Sequence, residues 1–221
     1  MRAIFAVASI AAFCATAEAQ TPPNAAERLR QAASRGDPKT LGEVLASGVD
    51  VDARDARGQT ALLLAVEGGH TGAAKKLMER GASVNAQAAN QDTPWLLAGA
   101  SGRTDILEMM LSRGPDLSIR NRFGGNALIP ACERGHVETI RLLTTKTKID
   151  VNHVNNPGWT CLLEIVILGD GGRRHQEATR LVLGAGADPN IGDKEGVSPL
   201  AHARRRGQAE IAKMIEAANG R

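Results

Sequence analysis

The chain has 221 residues, a length that fits one ordinary domain or one short solenoid. Its net charge of +3 is too small to indicate nucleic-acid binding on its own, and the sequence has no long basic block with interleaved aromatic residues. Aromatic residues make up 2% of the chain, so the core must consist mainly of Leu, Ile, Val and Ala. Such a core suits the close packing of helices on helices.

The first nineteen residues predict an export signal. Arg2 supplies a positive start, residues 3–15 are apolar apart from one serine, and small residues stand at the two positions that a signal peptidase reads, 17 and 19. The run is too short for a membrane span, which needs about 20 apolar residues. We therefore expect Gln20 to begin the mature chain. The alternatives are a mobile N-terminal helix of a cytoplasmic protein and a lipoprotein anchor at Cys14, which the bulky Phe13 disfavours.

Residues that can cap a helix recur along the chain at steps of 33, 33, 34 and 38 residues: Thr60, Thr93, Asn126, Thr160 and Ser198. Thr, Asn and Ser side chains accept a hydrogen bond from an unpaired N–H at the start of a helix. In two units a proline follows directly, at the first helical position, where its missing N–H costs nothing. Each of these positions therefore predicts the start of a helix.

Two further landmarks keep the same spacing. Small residues are expected on the buried face of this first helix, where they let neighbouring helices approach, at Ala65, Ala98, Ala131 and Ala203. Glycines in the left-handed conformation are expected to end it, at Gly69, Gly102, Gly135 and Gly207. A second helix with paired apolar residues follows, and a stretch rich in Asp and Asn then turns back as a β-like finger.

The pattern Gly-x-Thr-Pro-Leu, then Ala, Gly-His, a Leu-Leu pair, Gly-Ala and Val-Asn-Ala resembles the ankyrin repeat over about residues 24–219. The resemblance implies an all-α ankyrin-repeat solenoid of about six stacked helix-turn-helix units with β-hairpin-like fingers. The expected boundaries are a signal peptide at 1–19 and an ankyrin-repeat domain at 20–221. This domain divides into an N-terminal cap at 24–57, repeats at 58–90, 91–123, 124–157 and 158–195, and a C-terminal cap at 196–221.

The chain departs from the ankyrin pattern in two respects. The histidine that usually follows Thr-Pro-Leu is replaced by Leu63, Leu96, Ile129, Leu163 and Ala201, so this solenoid should depend more on apolar packing there. Pro130 stands at the fourth predicted helical position, where it would delete the first hydrogen bond within the helix.

Cys132 and Cys161 are the cysteines of the mature chain, and export raises the question of a disulfide. In the repeat register Cys161 is level with Ala127, five residues before Cys132. Five residues span about 7.5 Å along a helix, and this offset adds to a helix spacing of about 8–10 Å. A disulfide tolerates a Cα separation of only about 7 Å. We therefore expect two unpaired, largely buried thiols.

The sequence contains no pattern typical of an enzyme or a metal site. His70, His136 and His175 recur at the start of the second helix, where ankyrin repeats often carry histidine, so we expect a structural role for them. The paired histidines of a zinc protease, a Gly-x-Ser-x-Gly elbow and a Gly-Lys-Ser/Thr phosphate loop are all missing. We expect neither catalysis nor a bound metal or cofactor.

The fifth unit is about five residues too long, and the excess, residues 170–174, is predicted to lie between its two helices. Two adjacent glycines permit unusual backbone turns, and N–H groups at the start of the next helix together with two arginines would suit an anion. The candidate anion-binding residues are Asp170, Gly171, Gly172, Arg173, Arg174 and His175. The alternative is a solvated loop extension.

In ankyrin proteins the finger tips and the inner face of the first helices form a concave recognition surface. Carried over by position, the candidate protein-binding residues are Arg57, Gln59, Asn90, Asp92, Arg120, Arg122, Phe123, Glu133, Arg134, Asn156, Trp159, Lys194 and Arg205. Phe123 and Trp159 fall at finger tips, whereas Trp95 replaces a core leucine. Because aromatic and arginine residues dominate binding hot spots, we expect a basic, partly apolar groove and a partner with an acidic segment. The alternative for Trp159 is packing on the neighbouring finger.

The leading hypothesis is an exported, periplasmic scaffold that binds a protein of the bacterial cell envelope. We expect it to be a monomer that neither spans the membrane after signal removal nor binds nucleic acid. Some periplasmic bacterial ankyrin proteins support hydrogen-peroxide defence, so the resemblance adds the hypothesis of an accessory to an envelope or stress-defence enzyme. The alternatives are a receptor for a small ligand or anion at the insertion, and a secreted factor that acts on a host protein.

Overall fold

Consecutive pairs of helices make up the computed structural model, which describes residues 24–221; the predicted export signal lies outside these residues. The first helices of the pairs are α1 (Ala25–Arg35), α3 (Ala61–Gly68), α5 (Pro94–Ala100), α7 (Leu128–Glu133), α9 (Cys161–Leu168) and α11 (Pro199–Arg205). The second helices are α2 (Pro38–Ala46), α4 (Thr71–Glu79), α6 (Thr104–Met110), α8 (Val137–Lys146), α10 (Arg173–Gly184) and α12 (Ala209–Ala217). A single 3-10 turn, Leu111–Arg113, extends α6.

The pairs stack into an all-helical solenoid. Each first helix packs against the next first helix, from α1 on α3 to α9 on α11, and each second helix packs against the next second helix. The buried apolar side chains form one continuous core from Leu29 in α1 to Ile215 in α12. Trp95 is fully buried in this core, as predicted. Within the described residues, no helix has the length and apolar character that crossing a membrane requires.

The predicted capping residues and terminal glycines of the first helices are confirmed. Thr60, Thr93, Thr160 and Ser198 each accept a hydrogen bond from the N–H three residues further on. Asn126 caps α7 through its Oδ1, which accepts from the N–H groups of Leu128 and Ile129 at 3.0 and 3.3 Å. The glycines that end the first helices adopt the left-handed conformation, and the small residues expected on the inner faces are buried: Gly69, Gly102, Gly135, Gly207, Ala65, Ala98, Ala131 and Ala203.

Helix α7 begins one residue later than predicted, and this shift accommodates Pro130. Ala127 precedes the helix, which starts at Leu128, so Pro130 is its third residue. The first four N–H groups of an α-helix have no partner within the helix. The proline ring therefore removes no hydrogen bond from α7, contrary to the sequence-based expectation.

The fingers between the pairs are tight turns, and no strand occurs in residues 24–221. Each turn is closed by a backbone hydrogen bond from the N–H of its first residue to the carbonyl four residues on. The closing pairs are Asp55–Gln59, Ala88–Asp92, Asn121–Gly125, Asn155–Trp159 and Asp193–Val197. Neighbouring fingers are joined as well, since Ala89 donates to the Arg57 carbonyl and Asn156 to the Phe123 carbonyl, at 2.9 and 2.8 Å. The fingers therefore form a row along the stack.

The prediction of two unpaired thiols is wrong, because Cys132 and Cys161 form a disulfide between α7 and α9. Their Cα atoms are 5.5 Å apart, well within the range for a disulfide. Both residues are fully buried. The expectation failed because it placed equivalent residues of successive first helices level with each other.

The start of a first helix in fact lies against the C-terminal half of the preceding one. The same contact occurs one unit earlier, between Gly99 and Ala127, which are 33 and 34 residues before Cys132 and Cys161. A Cβ atom on Gly99 would lie 2.9 Å from the Cβ of Ala127. Because of this stagger, Cys132 and Cys161 lie close together although they are five positions apart in the repeat register.

The extra length of the fifth unit is divided between a loop and a helix. Helix α10 begins at Arg173, so residues 169–172 alone connect it to α9. His175 is the third residue of α10, whereas the equivalent His70 and His136 directly precede α4 and α8. The insertion therefore lies only partly between the helices, and its last two residues lengthen α10.

Removal of the disulfide is expected to lower the free energy of unfolding by about 3–4 kcal/mol, because a bridge across a separation of 29 residues restricts the unfolded chain. The C132A/C161A variant should show this loss in urea unfolding. A reductant should destabilise the wild-type chain similarly and leave the variant unchanged. Two titratable thiols in the unfolded, unreduced chain from an oxidising compartment would contradict the pairing.

Candidate functional site

The row of fingers and the first helices beside it enclose a groove with two cavities. The predicted protein-binding residues are all at least partly accessible; Arg57 lines one cavity, and Phe123, Glu133, Arg134 and Trp159 line the other. The exposed ones are Arg57, Asn90, Arg122, Phe123, Arg134, Asn156, Lys194 and Arg205. The half-buried ones are Gln59, Asp92, Arg120, Glu133 and Trp159.

The cavity at the N-terminal end of the groove has a volume of about 610 Å³ and lies between α1 and the first finger. We call it the arginine cavity, because its lining includes Arg30, Arg35, Arg54 and Arg57. Two carboxylates, those of Glu27 and Asp55, also line it. The cavity therefore carries an excess of positive charge.

The second cavity has a volume of about 340 Å³ and lies between the third and fourth fingers and helices α7 and α9. Its apolar lining residues are Phe123, Ile129, Pro130, Pro157, Trp159 and Leu168. Phe123 and Leu168 are 53% and 48% exposed, an unusual state for large apolar side chains in a packed solenoid. Glu133 and Glu164 line the same cavity, which we call the Glu164 pocket.

Glu164 is a carboxyl group held among apolar side chains in the middle of α9. The residue is only 5% exposed. Burial, followed by the nearby charge of Glu133, raises the pKa of Glu164 from 4.5 to about 7, although a hydrogen bond from Asn155 acts in the opposite direction. Near neutral pH this carboxyl group is therefore divided between its neutral and its charged form.

Asn155 connects Glu164 to the fourth finger. Its Nδ2 donates to Oε1 of Glu164 at 2.9 Å, and its Oδ1 accepts from the N–H of Trp159 at 2.8 Å. Asn155 is itself buried. One amide side chain thus fixes both the carboxyl group and the finger that carries Trp159.

The disulfide joins the two helices that line the Glu164 pocket. Cys132 precedes Glu133 in α7, and Cys161 lies three residues before Glu164 in α9. The two helices that carry the carboxyl groups are thus covalently joined, which holds Glu133 and Glu164 near each other despite their like charges.

The arginines at the centre of the groove are engaged by groups of the chain itself. The guanidinium of Arg122 lies 4.8 Å from the ring centroid of Phe123. Arg120 donates to the carbonyls of Leu117 and Ile119, and Arg134 donates to the carbonyl of Ala100 at 2.5 Å. The predicted basic residues are therefore at the centre of the groove, but the pocket among them carries two carboxyl groups.

The carboxylate of Asp170 contacts two of the other residues that the sequence suggested as anion ligands, Gly172 and His175. Its Oδ1 accepts from the N–H of Gly172 at 2.8 Å and lies 2.7 Å from Nδ1 of His175. The hydrogen bond from Gly172, and then the one from His175, lower the pKa of Asp170. Gly171 adopts a φ of 70°, while Arg173 and Arg174 are exposed. Asp170 thus accepts one backbone hydrogen bond from the residue that precedes α10, and α10 itself has no side-chain cap.

The structural role predicted for the repeated histidines is confirmed. The Nε2 atoms of His70 and His175 lie 3.0 Å from the carbonyls of Ser34 and Glu133, each in the preceding unit. Burial, followed by the charge of Arg134, lowers the pKa of His136. Across residues 24–221, no cluster of His, Cys, Asp or Glu is arranged to hold a metal ion.

Sequence reasoning missed the residues that give the Glu164 pocket its character, chiefly Glu164 and Leu168. Glu164 belongs to the run Cys161–Leu168, which is otherwise apolar, and it occupies the position that Leu64 and Leu97 hold in earlier units. A single carboxylate in such a run was the signal that could have identified the pocket. Leu168 is the reverse case, an apolar residue at the position where the preceding unit has the charged Arg134.

The raised pKa of Glu164 predicts a pH-dependent stability. The folded chain binds this proton more tightly than the unfolded chain, so the stabilisation is complete below pH 4.5 and is lost as the pH rises through about 7. The E164Q variant cannot ionise there. We expect it to match the wild type at about pH 4 and to exceed its free energy of unfolding by about 1–2 kcal/mol at about pH 8, after allowance for solvent screening.

Urea unfolding of both chains across this pH range measures the difference between their free energies of unfolding. Groups that the two chains share titrate alike in both, so their contributions cancel in this difference. An E164Q chain that is less stable than the wild type at the upper pH would contradict the account of Glu164.

Comparisons with known proteins agree with the fold. A family model described as "Ankyrin repeats (3 copies)" matches residues 29–121 and 96–193. The ankyrin repeat protein YahD of Escherichia coli (strain K12) is 40% identical over 187 residues, which cover 85% of this chain and 93% of YahD. The crystal structure of an ankyrin repeat domain from Acinetobacter baumannii AYE is similar with a TM-score of 0.84 and 49% identity, covering 87% of this chain and 98% of that domain. The crystal structure of the ankyrin repeat protein EF0377 is similar with a TM-score of 0.83 and 39% identity, covering 86% of this chain and 97% of the EF0377 chain. The chain therefore belongs to the ankyrin repeat family.

Proposed function

We propose that this ankyrin-repeat chain is an exported, monomeric scaffold that binds a protein of the bacterial cell envelope through the groove between its fingers and first helices. Ankyrin repeats stack into extended surfaces that generally serve protein–protein interaction. The observation that carries the proposal is the Glu164 pocket, where Phe123, Trp159 and Leu168 meet at the surface. Apolar side chains that remain accessible together mark an interaction site.

The disulfide supports the export part of the proposal. Disulfides persist in oxidising compartments such as the bacterial periplasm and are rare in the cytosol. Cys132 and Cys161 lie on helices whose stagger brings them within bonding distance. This observation agrees with the signal-like pattern of residues 1–19.

The arginine cavity supports an acidic segment on the partner. Four arginines and two carboxylates line it, and one of the carboxylates, that of Asp55, is already paired with Arg57. Exposed positive charge of this kind attracts an acidic surface and speeds association more than it adds affinity. The partner's acidic segment would therefore lie toward the N-terminal end of the groove.

Partner capture should depend on the exposed apolar side chains of the Glu164 pocket. We expect the F123S/L168S variant to recover at least about tenfold less partner than the wild type in a quantitative crosslinking pull-down from envelope extract, since hot-spot residues each contribute about 2 kcal/mol or more. Both side chains are about half exposed and lie outside the buried core, so the fold should persist.

Val154 supplies the matched control. It is 44% exposed and apolar, but it does not line the pocket. The V154S variant should capture the partner as the wild type does. Equal losses in both variants, or no loss in either, would refute the groove as the binding surface.

Export is tested separately by fractionating cells that express the full chain. We expect the protein in the periplasmic fraction, with mass spectrometry showing an N-terminus at Gln20. Recovery mainly from the culture medium would favour the secreted alternative. A cytoplasmic chain that retains residues 1–19 would contradict export altogether.

A further inference from the structure

We propose that the Glu164 pocket receives a cationic side chain, a lysine or an arginine, from the bound protein. This inference rests on the proposed function and specifies the chemistry of the contact. It follows from the two carboxyl groups in the pocket, from the absence of a cation of residues 24–221 paired with them, and from the shape and polarity of the walls.

The two carboxyl groups have few partners among residues 24–221. Glu164 is 5% exposed, yet the only hydrogen bond to its carboxyl group within residues 24–221 comes from Asn155. Glu133 lines the same pocket, and in the described part of the chain neither carboxyl group belongs to an ion pair. A buried carboxyl group with one donor retains capacity for a further donor.

The neighbouring arginines do not fill this role. Arg134 lines the pocket, but its Nη1 donates to the carbonyl of Ala100, and the guanidinium of Arg122 lies over the ring of Phe123. In other parts of the surface the chain pairs its carboxylates readily, as Glu177 does with both Arg141 and Arg180. Residues 24–221 therefore supply no cation to these two carboxyl groups, and a cation from a bound protein could pair with them.

The walls fit the rest of a long basic side chain. Lysine and arginine bury an apolar stem while their charged head seeks polar groups. Ile129, Pro130 and Leu168 offer apolar surface to the stem, and the rings of Phe123 and Trp159 favour a nearby cation. A volume of about 340 Å³ lies near the lower end of the range for ligand pockets, which suits an inserted side chain.

Other side chains fit less well. A neutral apolar side chain would cover the two carboxyl groups without giving either one a hydrogen bond, which costs free energy. An acidic side chain would add a third negative group beside Glu133 and Glu164. A cation neutralises the pocket and supplies a further donor to the carboxyl groups, so it is the occupant with the best electrostatic match.

The two tryptophans of the chain provide a direct readout. Trp159 lines the pocket and Trp95 is buried in the core. Their indole N–H signals can be separated in an NMR spectrum, and the W159F variant assigns them. Titration of the full chain with Nα-acetyl-arginine methylamide or Nα-acetyl-lysine methylamide should shift the Trp159 signal and leave the Trp95 signal in place.

Neutral and acidic probes serve as comparisons. The citrulline analogue, which has nearly the same shape as the arginine probe but no charge, should bind roughly tenfold or more weakly, as loss of a charged hydrogen bond implies. Nα-acetyl-glutamate methylamide should not shift the Trp159 signal. Equal binding of the arginine and citrulline probes, tighter binding of the acidic probe, or no saturable shift with either basic probe would overturn the proposal.

Two variants link the binding to the carboxyl group. E164Q keeps an oxygen for Asn155 but removes the charge, and it should weaken the basic probes by roughly tenfold. E195Q removes an exposed carboxylate on the fifth finger, outside the pocket, and should have no effect. Loss of binding in both variants, or in neither, would contradict the assignment to Glu164.

The outcome is separable from that of the proposed function. If the F123S/L168S variant loses its partner while the basic probes fail to bind, the groove binds a protein, but not through a cationic side chain in the Glu164 pocket. If the basic probes bind through Glu164 while partner capture is independent of the pocket, the cation site stands and the proposed docking surface is wrong.

Discussion

The close contact between the start of one first helix and the C-terminal half of the preceding first helix is the constraint on which the solenoid depends. A Cβ atom on Gly99 would lie 2.6 Å from the carbonyl oxygen of Ala127, so that position tolerates no side chain without a shift of the helices. One unit later the same contact is a disulfide between Cys132 and Cys161. Because the fingers are attached to the starts of these helices, this contact also sets the spacing of the finger row and the width of the groove.

The Glu164 pocket is a consequence of that contact. The disulfide joins the two helices that carry Glu133 and Glu164, and Asn155 attaches the carboxyl group of Glu164 to the fourth finger. A buried carboxyl group with a raised pKa costs stability when it ionises, and functional sites are where proteins commonly retain such costs. The pocket thus combines two covalently joined helices with two carboxyl groups that no cation of residues 24–221 pairs with, which makes it our candidate for recognition.

The features that repeat with the period could be predicted from the sequence, and the features that depend on the stagger between helices could not. Caps such as Thr60 and left-handed glycines such as Gly69 follow from local backbone chemistry, so their positions were correct. The disulfide was missed because spacing along the chain does not reveal how far one helix slides along the next. Glu164 lies in an otherwise apolar run and was overlooked for that reason. The sequence of the insertion did not indicate that the Asp170 carboxylate would contact Gly172 and His175.

Photo-crosslinking in the intact envelope tests the central claim most directly, since it asks which face of the solenoid touches the partner. A photoreactive residue at position 168, on the rim of the Glu164 pocket, is predicted to form a covalent adduct with one envelope protein. The matched position 138, exposed on the second helix α8, should form none. Adducts from position 138 but not from position 168 would contradict the account, because they would place the partner on the second helices and leave the groove without a role.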